Sequence, residues 1–200
     1  MSKNYFNEKE DKILLSNIYE VLSAGEVFFV KNPTLNKKIK VNRGNGKKGL
    51  VHLISHRTSK WICDDISRRR FVQAKKRISA ILFLAIKNIE KIPVKDENGN
   101  YSISFCGIKT ILSKYKNEYY FLTGFDDFLE EAKVMNATNA VIARYGNSKE
   151  FMAMHSQVTN LIIKNQEINN LKQKNQNLLI ENKKLHEQIR KLKKKISSRG

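Results

Sequence analysis

The chain has 200 residues, with 38 Lys and Arg against 19 Asp and Glu, a formal net charge of +19. That length allows one medium domain with a real core plus an appendage, and the charge excess points to a polyanionic partner, nucleic acid ahead of an anionic membrane surface. Two isolated cysteines exclude a disulfide framework, no apolar run approaches the ~20 residues of a membrane span, and the polar N-terminus reads as no signal peptide, so a cytoplasmic setting is expected.

Residues 8–23 read as an amphipathic helix with Ile13, Leu14, Ile18, Val21 and Leu22 near one face, ended by Gly25. Residues 26–30 (EVFFV) read as a strand, Asn32-Pro33 as a turn, and 37–41 as a second short extended piece. The glycine turn Gly44-Asn-Gly46-Lys-Lys-Gly49 follows and opens a short helix. At about 100° per residue, Leu50, Val51, Leu53 and Ile54 share one side of it, and His52 and His56, one turn apart, share the other. A long helix is expected from 64 to 91, capped by Asp64 or Asp65 and stopped by Pro93, with a strongly basic first half. The period then changes to two: Asn98-Gly99 is a hairpin signal, and 101–105, 108–114 and 118–125 read as antiparallel strands. Residues 127–135 are expected to be helical. The fold class is therefore α+β, with N-terminal helices packed on a small antiparallel sheet.

From about Ser156 a heptad register takes over. Leu171, Leu178, Leu185 and Leu192 fall at d, and Leu161, Ile168, Asn175, Asn182, Ile189 and Ile196 at a. Leucine at d with asparagine at a favours two parallel strands in one register, because a buried amide is least costly opposite its twin. A homodimer through a 161–196 coiled coil is the expectation, with a single helix docked on the domain as the alternative.

The glycine turn matches G-x-G-x-x-G, yet the extended piece before it is lysine-rich and no further βαβ units follow, so a dinucleotide cofactor is not expected. Walker A fails because Leu50 follows Gly49. What remains is an anion-binding turn at a helix N-terminus, with Arg43, Lys47 and Lys48 beside it. His52 and His56 have i, i+4 metal-ligand spacing, but no Glu follows His52 and only Cys63 offers a third ligand, so no metal is expected. Histidine is the side chain best suited to proton transfer near neutral pH, and two beside a cationic turn point to chemistry on a phosphate. A leucine-zipper DNA-binding protein is a poor fit, since residues 147–156 before the heptads are hardly basic.

The order Gly49-Leu-Val-His-Leu-Ile-Ser-His-Arg57, then a helix, then strands ending Tyr120-Phe-Leu-Thr-Gly-Phe125, resembles phage nucleases of the barnase/EndoU/colicin/RelE-like superfamily. The resemblance covers about residues 26–126. It implies an α+β nuclease-like domain over 1–150, to which a parallel coiled coil is added over 156–197. It further implies a phage-associated or toxin-like endoribonuclease that needs no metal or cofactor and cleaves RNA by attack of the 2′-OH on the adjacent phosphorus. His52 and His56 then transfer protons, with the order of roles open, and Thr123 donates to a phosphate oxygen. Arg57 and Lys60 stabilise phosphate, and Tyr120 stacks on a base or hydrogen-bonds the substrate. The expected partners are RNA, or DNA in its place, and a second copy of the chain, with room for an inhibitor protein and no membrane. The alternative is a dimeric nucleic-acid-binding protein without catalysis, and a third reading is a scaffold whose zipper recruits another protein.

Overall fold

The computed structural model describes residues 5–62, 67–95, 99–126 and 128–198. Helix α1 (Glu8–Ala24) is closed by Gly25, whose φ of 77° is the left-handed cap conformation that glycine adopts without penalty. Strands β1 (Phe28–Asn32) and β2 (Lys37–Val41) pair antiparallel. Helix α2 (Gly49–Trp61) carries both candidate histidines, and α3 (Arg68–Lys87) is the central core helix. A 3-10 turn (Asn88–Glu90) leads to β3 (Val94–Lys95), β4 (Tyr101–Phe105), β5 (Ile108–Tyr115) and β6 (Glu118–Asp126). A second 3-10 turn (Phe128–Glu130), α4 (Glu131–Tyr145) and α5 (Lys149–Ser197) complete the described elements.

The six strands form one sheet in the order β1-β2-β6-β5-β4-β3. It is mixed rather than antiparallel, as β2 runs parallel to β6 through Ile39–Tyr119 and Lys40–Tyr120. A parallel pair needs a long crossover, and here the whole stretch from α2 to β5 intervenes between the two strands. Two tight hairpins build the antiparallel half. Their turn residues Cys106-Gly107 and Lys116-Asn117 all have positive φ, the twist that suits a two-residue hairpin turn.

Register and burial assign the two sheet faces. Val30, Ile39, Val41, Ile103, Leu112, Tyr119 and Phe121 are buried, and Thr110 Oγ1 donates 2.7 Å to the Ala85 carbonyl of α3, so these side chains face the helices. Gly124 belongs to that face as well. A Cβ there would lie 2.7 Å from the Ala85 side chain and 3.1 Å from Leu53, so glycine at this position lets α2 and α3 both lie against β6. The core holds one buried polar knot, in which Asp11 accepts from Lys87 Nζ and from the Tyr145 hydroxyl, each at 2.5 Å. It ties α1, α3 and α4 together and satisfies a carboxylate that burial would otherwise penalise.

Several expectations change. The first strand lies two residues later than 26–30, and the long helix is Arg68–Lys87, capped by the Ser67 side chain, which accepts from Arg70 N. Asp64, Asp65, Asn98 and Asp127 lie outside the described residues. Helix α5 starts seven residues before Ser156, and its first turns belong to the folded unit: Phe151, Met154, Val158 and Ile162 are core, with Leu161 packed beside them. Leu161, assigned to the first a position, therefore serves the domain.

Residues 163–200 form a separate unit. From Glu167 to Lys194 every residue is exposed, including all the a and d side chains there. Among the described residues no helix is long and apolar enough to cross a membrane.

Candidate active site

The glycine turn closes on itself. Asn45 N donates to Lys48 O at 2.8 Å, and Lys47 N to the Asn45 side chain at 2.9 Å. Gly44 (φ +67°) and Gly49 (φ +81°) meet back to back, and a Cβ on Gly44 would lie 2.0 Å from the Lys48 carbonyl. These two glycines are required by that close approach, whereas Gly46 faces open space.

The closed loop also caps α2 with its own carbonyls. Leu50 N reaches Asn42 O at 3.4 Å and Val51 N reaches Arg43 O at 3.0 Å. Two of the orphan donors that would make this N-terminus an anion site are thus taken. Lys47 and Lys48 stay exposed, and Arg43 is half-buried. The turn presents lysine side chains near the helix and leaves less of an amide cradle than its sequence suggests.

Its second product is the orientation of His52. The Nδ1 atom lies 2.8 Å from Gly46 O. A carbonyl only accepts, so Nδ1 carries the proton and the neutral ring presents Nε2 as a base. His56 is held in the opposite sense. Its Nδ1 lies 3.0 Å from a terminal nitrogen of Arg57. A guanidinium only donates, so Nδ1 accepts and the neutral ring presents Nε2–H as a donor. The ring centroids are 6.0 Å apart at 68°. Partial desolvation, then the charge of Arg57 with smaller contributions from His52 and Lys60, holds the His56 pKa below that of an ordinary histidine. Below neutral pH it therefore stays uncharged further down the scale than a free imidazole does.

Arg57 is itself anchored. Only 3% of the residue is exposed, and its second terminal nitrogen is ion-paired with Asp126 Oδ1 at the end of β6. Lys60 Nζ takes Asp126 Oδ2. Burial pulls the Arg57 pKa down to about 10, which still leaves the side chain charged at neutral pH. Arg57, expected to stabilise phosphate, is buried against a carboxylate and reaches the site only through His56. Lys60 shares that carboxylate, and the two line, with Trp61, Arg77 and Met135, a cavity of about 370 Å³.

Thr123 does not join this group. It pairs with Ile111, next to Gly124, on the sheet face turned away from α2 and α3. Tyr120 shares the outer face; its hydroxyl donates to Glu118, and Lys40 Nζ lies 5.7 Å from its ring centroid. Tyr120 does share a cavity with Lys48. Where β2 parts from β6, both line this cavity of about 440 Å³ together with Asn42, Ser113 and Leu122. A β-bulge opposite Ile111 and Leu112 leaves Leu122 as the extra residue there.

Sequence reasoning missed Asp126, Asn42 and the Gly46 carbonyl. Asp126 is 69 positions from Arg57, and no spacing rule links them; the only hint was a carboxylate closing the last strand. Among the described residues no cluster of three or more His, Cys, Asp or Glu side chains could hold a metal ion. Cys63, weighed as a third ligand, lies outside them. No family model, curated protein or solved structure matches the chain.

Proposed function

We propose that the chain is a metal-independent endoribonuclease in which His52 takes the proton and His56 donates a hydrogen bond to the developing phosphate charge. The observation behind this reading is the opposite hydrogen-bond polarity of the two rings, one turn apart on α2. His52 Nε2 accepts the proton of the ribose 2′-OH as its oxygen bonds to phosphorus. The bond to the 5′-oxygen breaks, leaving a 2′,3′-cyclic phosphate. His56 Nε2–H donates a hydrogen bond to the charge that develops on the phosphate, and the departing oxygen takes a proton from water. His52 returns its proton to solvent. Lys47 and Lys48 supply positive charge beside the base. The resemblance to the barnase/EndoU/colicin/RelE-like nucleases agrees with this chemistry, although Thr123 has no part in it.

Incubating the purified chain with total RNA, with and without EDTA, tests the reading. Cleavage should persist in EDTA, yield cyclic phosphate ends, and fail in His52→Ala and His56→Ala at unchanged far-UV circular dichroism. Cleavage that requires a divalent ion, or that survives both substitutions, overturns it.

The same reading includes a second copy of the chain. Ile168, Leu171, Leu178, Leu185 and Leu192 are each about half exposed or more, in a heptad register with asparagines at a. Burying that stripe against its twin, with Glu167 facing Lys172, accounts for both the apolar and the polar positions. Sedimentation equilibrium should give twice the chain mass, and Leu178→Asn with Leu185→Asn should give the single mass. A wild-type chain that stays monomeric at micromolar concentration removes this part.

A further inference from the structure

Among the described residues of the folded unit, no helix packs on one face of the sheet. Register places Lys40, paired with Phe29 and Tyr120, and Lys109, paired with Phe125, on it, and alternation adds Lys31 and Lys38, which pair with each other. The partners of Lys40 and Lys109 are aromatic. Phe29 is 57% exposed, Lys40 lies over the ring of Tyr120, and Lys109 lies 5.9 Å from that of Phe125. Tyr115, 63% exposed, extends the row at the end of β5. The carboxylate of Glu118, held by the Tyr120 hydroxyl, is set against these four lysines.

Lysines interspersed with exposed and half-buried rings on an open sheet face match a polyanion whose bases are free to stack. A duplex hides its base faces, whereas a single strand offers one to each ring. At the inner edge of this face is the 440 Å³ notch, a size typical of small-molecule sites. Asn42 lines it, and its Oδ1, packed beside Gly49, is buried without a hydrogen-bond partner. Lys48 lines the same notch, and its loop holds His52 through Gly46.

We propose that single-stranded RNA lies across this open face, with one unpaired base seated in the notch between Asn42, Lys48 and Tyr120. The identity of the strand as RNA rests on the ribonuclease reading, while the placement rests on the face itself. The basic first half of α3, where Arg68, Arg69 and Arg70 are exposed, lies on the other side of the sheet and takes no part.

The probe is a fluorescent, fully 2′-O-methylated single-stranded oligonucleotide, which cannot be cleaved, titrated by anisotropy against the full chain. Lys38→Glu with Lys40→Glu should weaken binding at least tenfold, and the salt slope should flatten by about 0.7 for each phosphate no longer neutralised. Tyr120→Ala should weaken binding about tenfold, and Tyr120→Phe should restore it, since stacking needs the ring and not the hydroxyl. Arg68→Glu with Arg69→Glu should bind as wild type. The proposal is overturned if the α3 variant loses binding while the sheet variants keep it, if a duplex of the same sequence binds better than the strand, or if the wild-type chain binds neither. If the sheet variants lose binding yet unmodified RNA is never cleaved by wild type, the platform stands and the nuclease reading falls. If the sheet variants cleave RNA at unchanged KM, the platform falls and the nuclease reading stands.

Discussion

Histidine occupies two contrasting environments in the folded unit. On α2, His52 and His56 each have Nδ1 fixed by a neighbour, while no described residue engages the other nitrogen. On α5, His155 Nδ1 lies 2.9 Å from Ser79 Oγ, and the ring stacks on Phe151 with centroids 6.1 Å apart. The Ser79–His155 pair has the geometry of an activated nucleophile, but Ser79 is fully buried and its hydroxyl also reaches the Lys75 carbonyl at 3.0 Å. A nucleophile needs access to substrate as well as a base. The α2 pair has open nitrogens and nearby lysines; the α5 pair has packing. Access, rather than the hydrogen bond, separates the two pairs.

The largest expected effect follows from that contrast. A general base is worth roughly 10²–10⁴-fold and a single donor to developing charge roughly 10²–10³-fold, so His52→Ala and His56→Ala should lower RNA cleavage by those factors, while His155→Phe leaves the rate unchanged. A folded His155→Phe chain that has lost cleavage would break the comparison.

The second effect concerns what holds the α2 pair in place. Asp126→Asn leaves Arg57 buried without its counter-charge. Breaking one partner of a buried pair costs about 3–5 kcal/mol, and the lower end is expected because partly exposed Lys60 shares the load. Urea unfolding should show the midpoint falling at constant slope. Cleavage, assayed where the variant is still folded, should drop too, because the Arg57 donor that fixes the His56 ring loses its anchor. An unshifted urea midpoint would detach Asp126 from the site.

Most of the elements were legible in the sequence because their signals are local. Strands 37–41 and 101–105 and the turn at Lys116-Asn117 follow from alternation and turn chemistry, and Gly25 from the cap rule. The parallel pairing of β2 with β6 was not, since register between strands almost 80 residues apart depends on tertiary packing. The histidine positions were legible from the helical period, but their tautomers were not. Those depend on a loop carbonyl at Gly46 and on a guanidinium steered by Asp126. Thr123 was misplaced for a definable reason: the Leu-Thr-Gly-Phe strand shows that two residues alternate, not which of them faces the helices. Gly124, where a side chain would strike Leu53 and Ala85, decides it.

The smallest effect tests the structural histidine by pH. Burial first, then the charges of Lys75 and Lys76, hold the His155 pKa down to about 4, against about 6.5 for a free imidazole. A folded-state pKa below the unfolded one means the unfolded chain binds the proton more readily. The contribution to stability is therefore whole above about pH 6.5 and is lost as the pH falls towards 4. At 1.36 kcal/mol per unit the full loss is about 3 kcal/mol, and partial solvent access to the ring reduces it to about 2. His155→Phe keeps the stack on Phe151 and leaves Ser79 with the Lys75 carbonyl, so it removes the titration without opening a cavity. The difference in unfolding free energy between wild type and variant, measured in urea at pH 7 and again near pH 4, should shift by that amount in favour of the variant. Every other titrating group is common to both chains and cancels. A difference that stays constant across the range would mean that His155 takes up its proton in the fold as readily as in water, and that its ring is as accessible as those on α2.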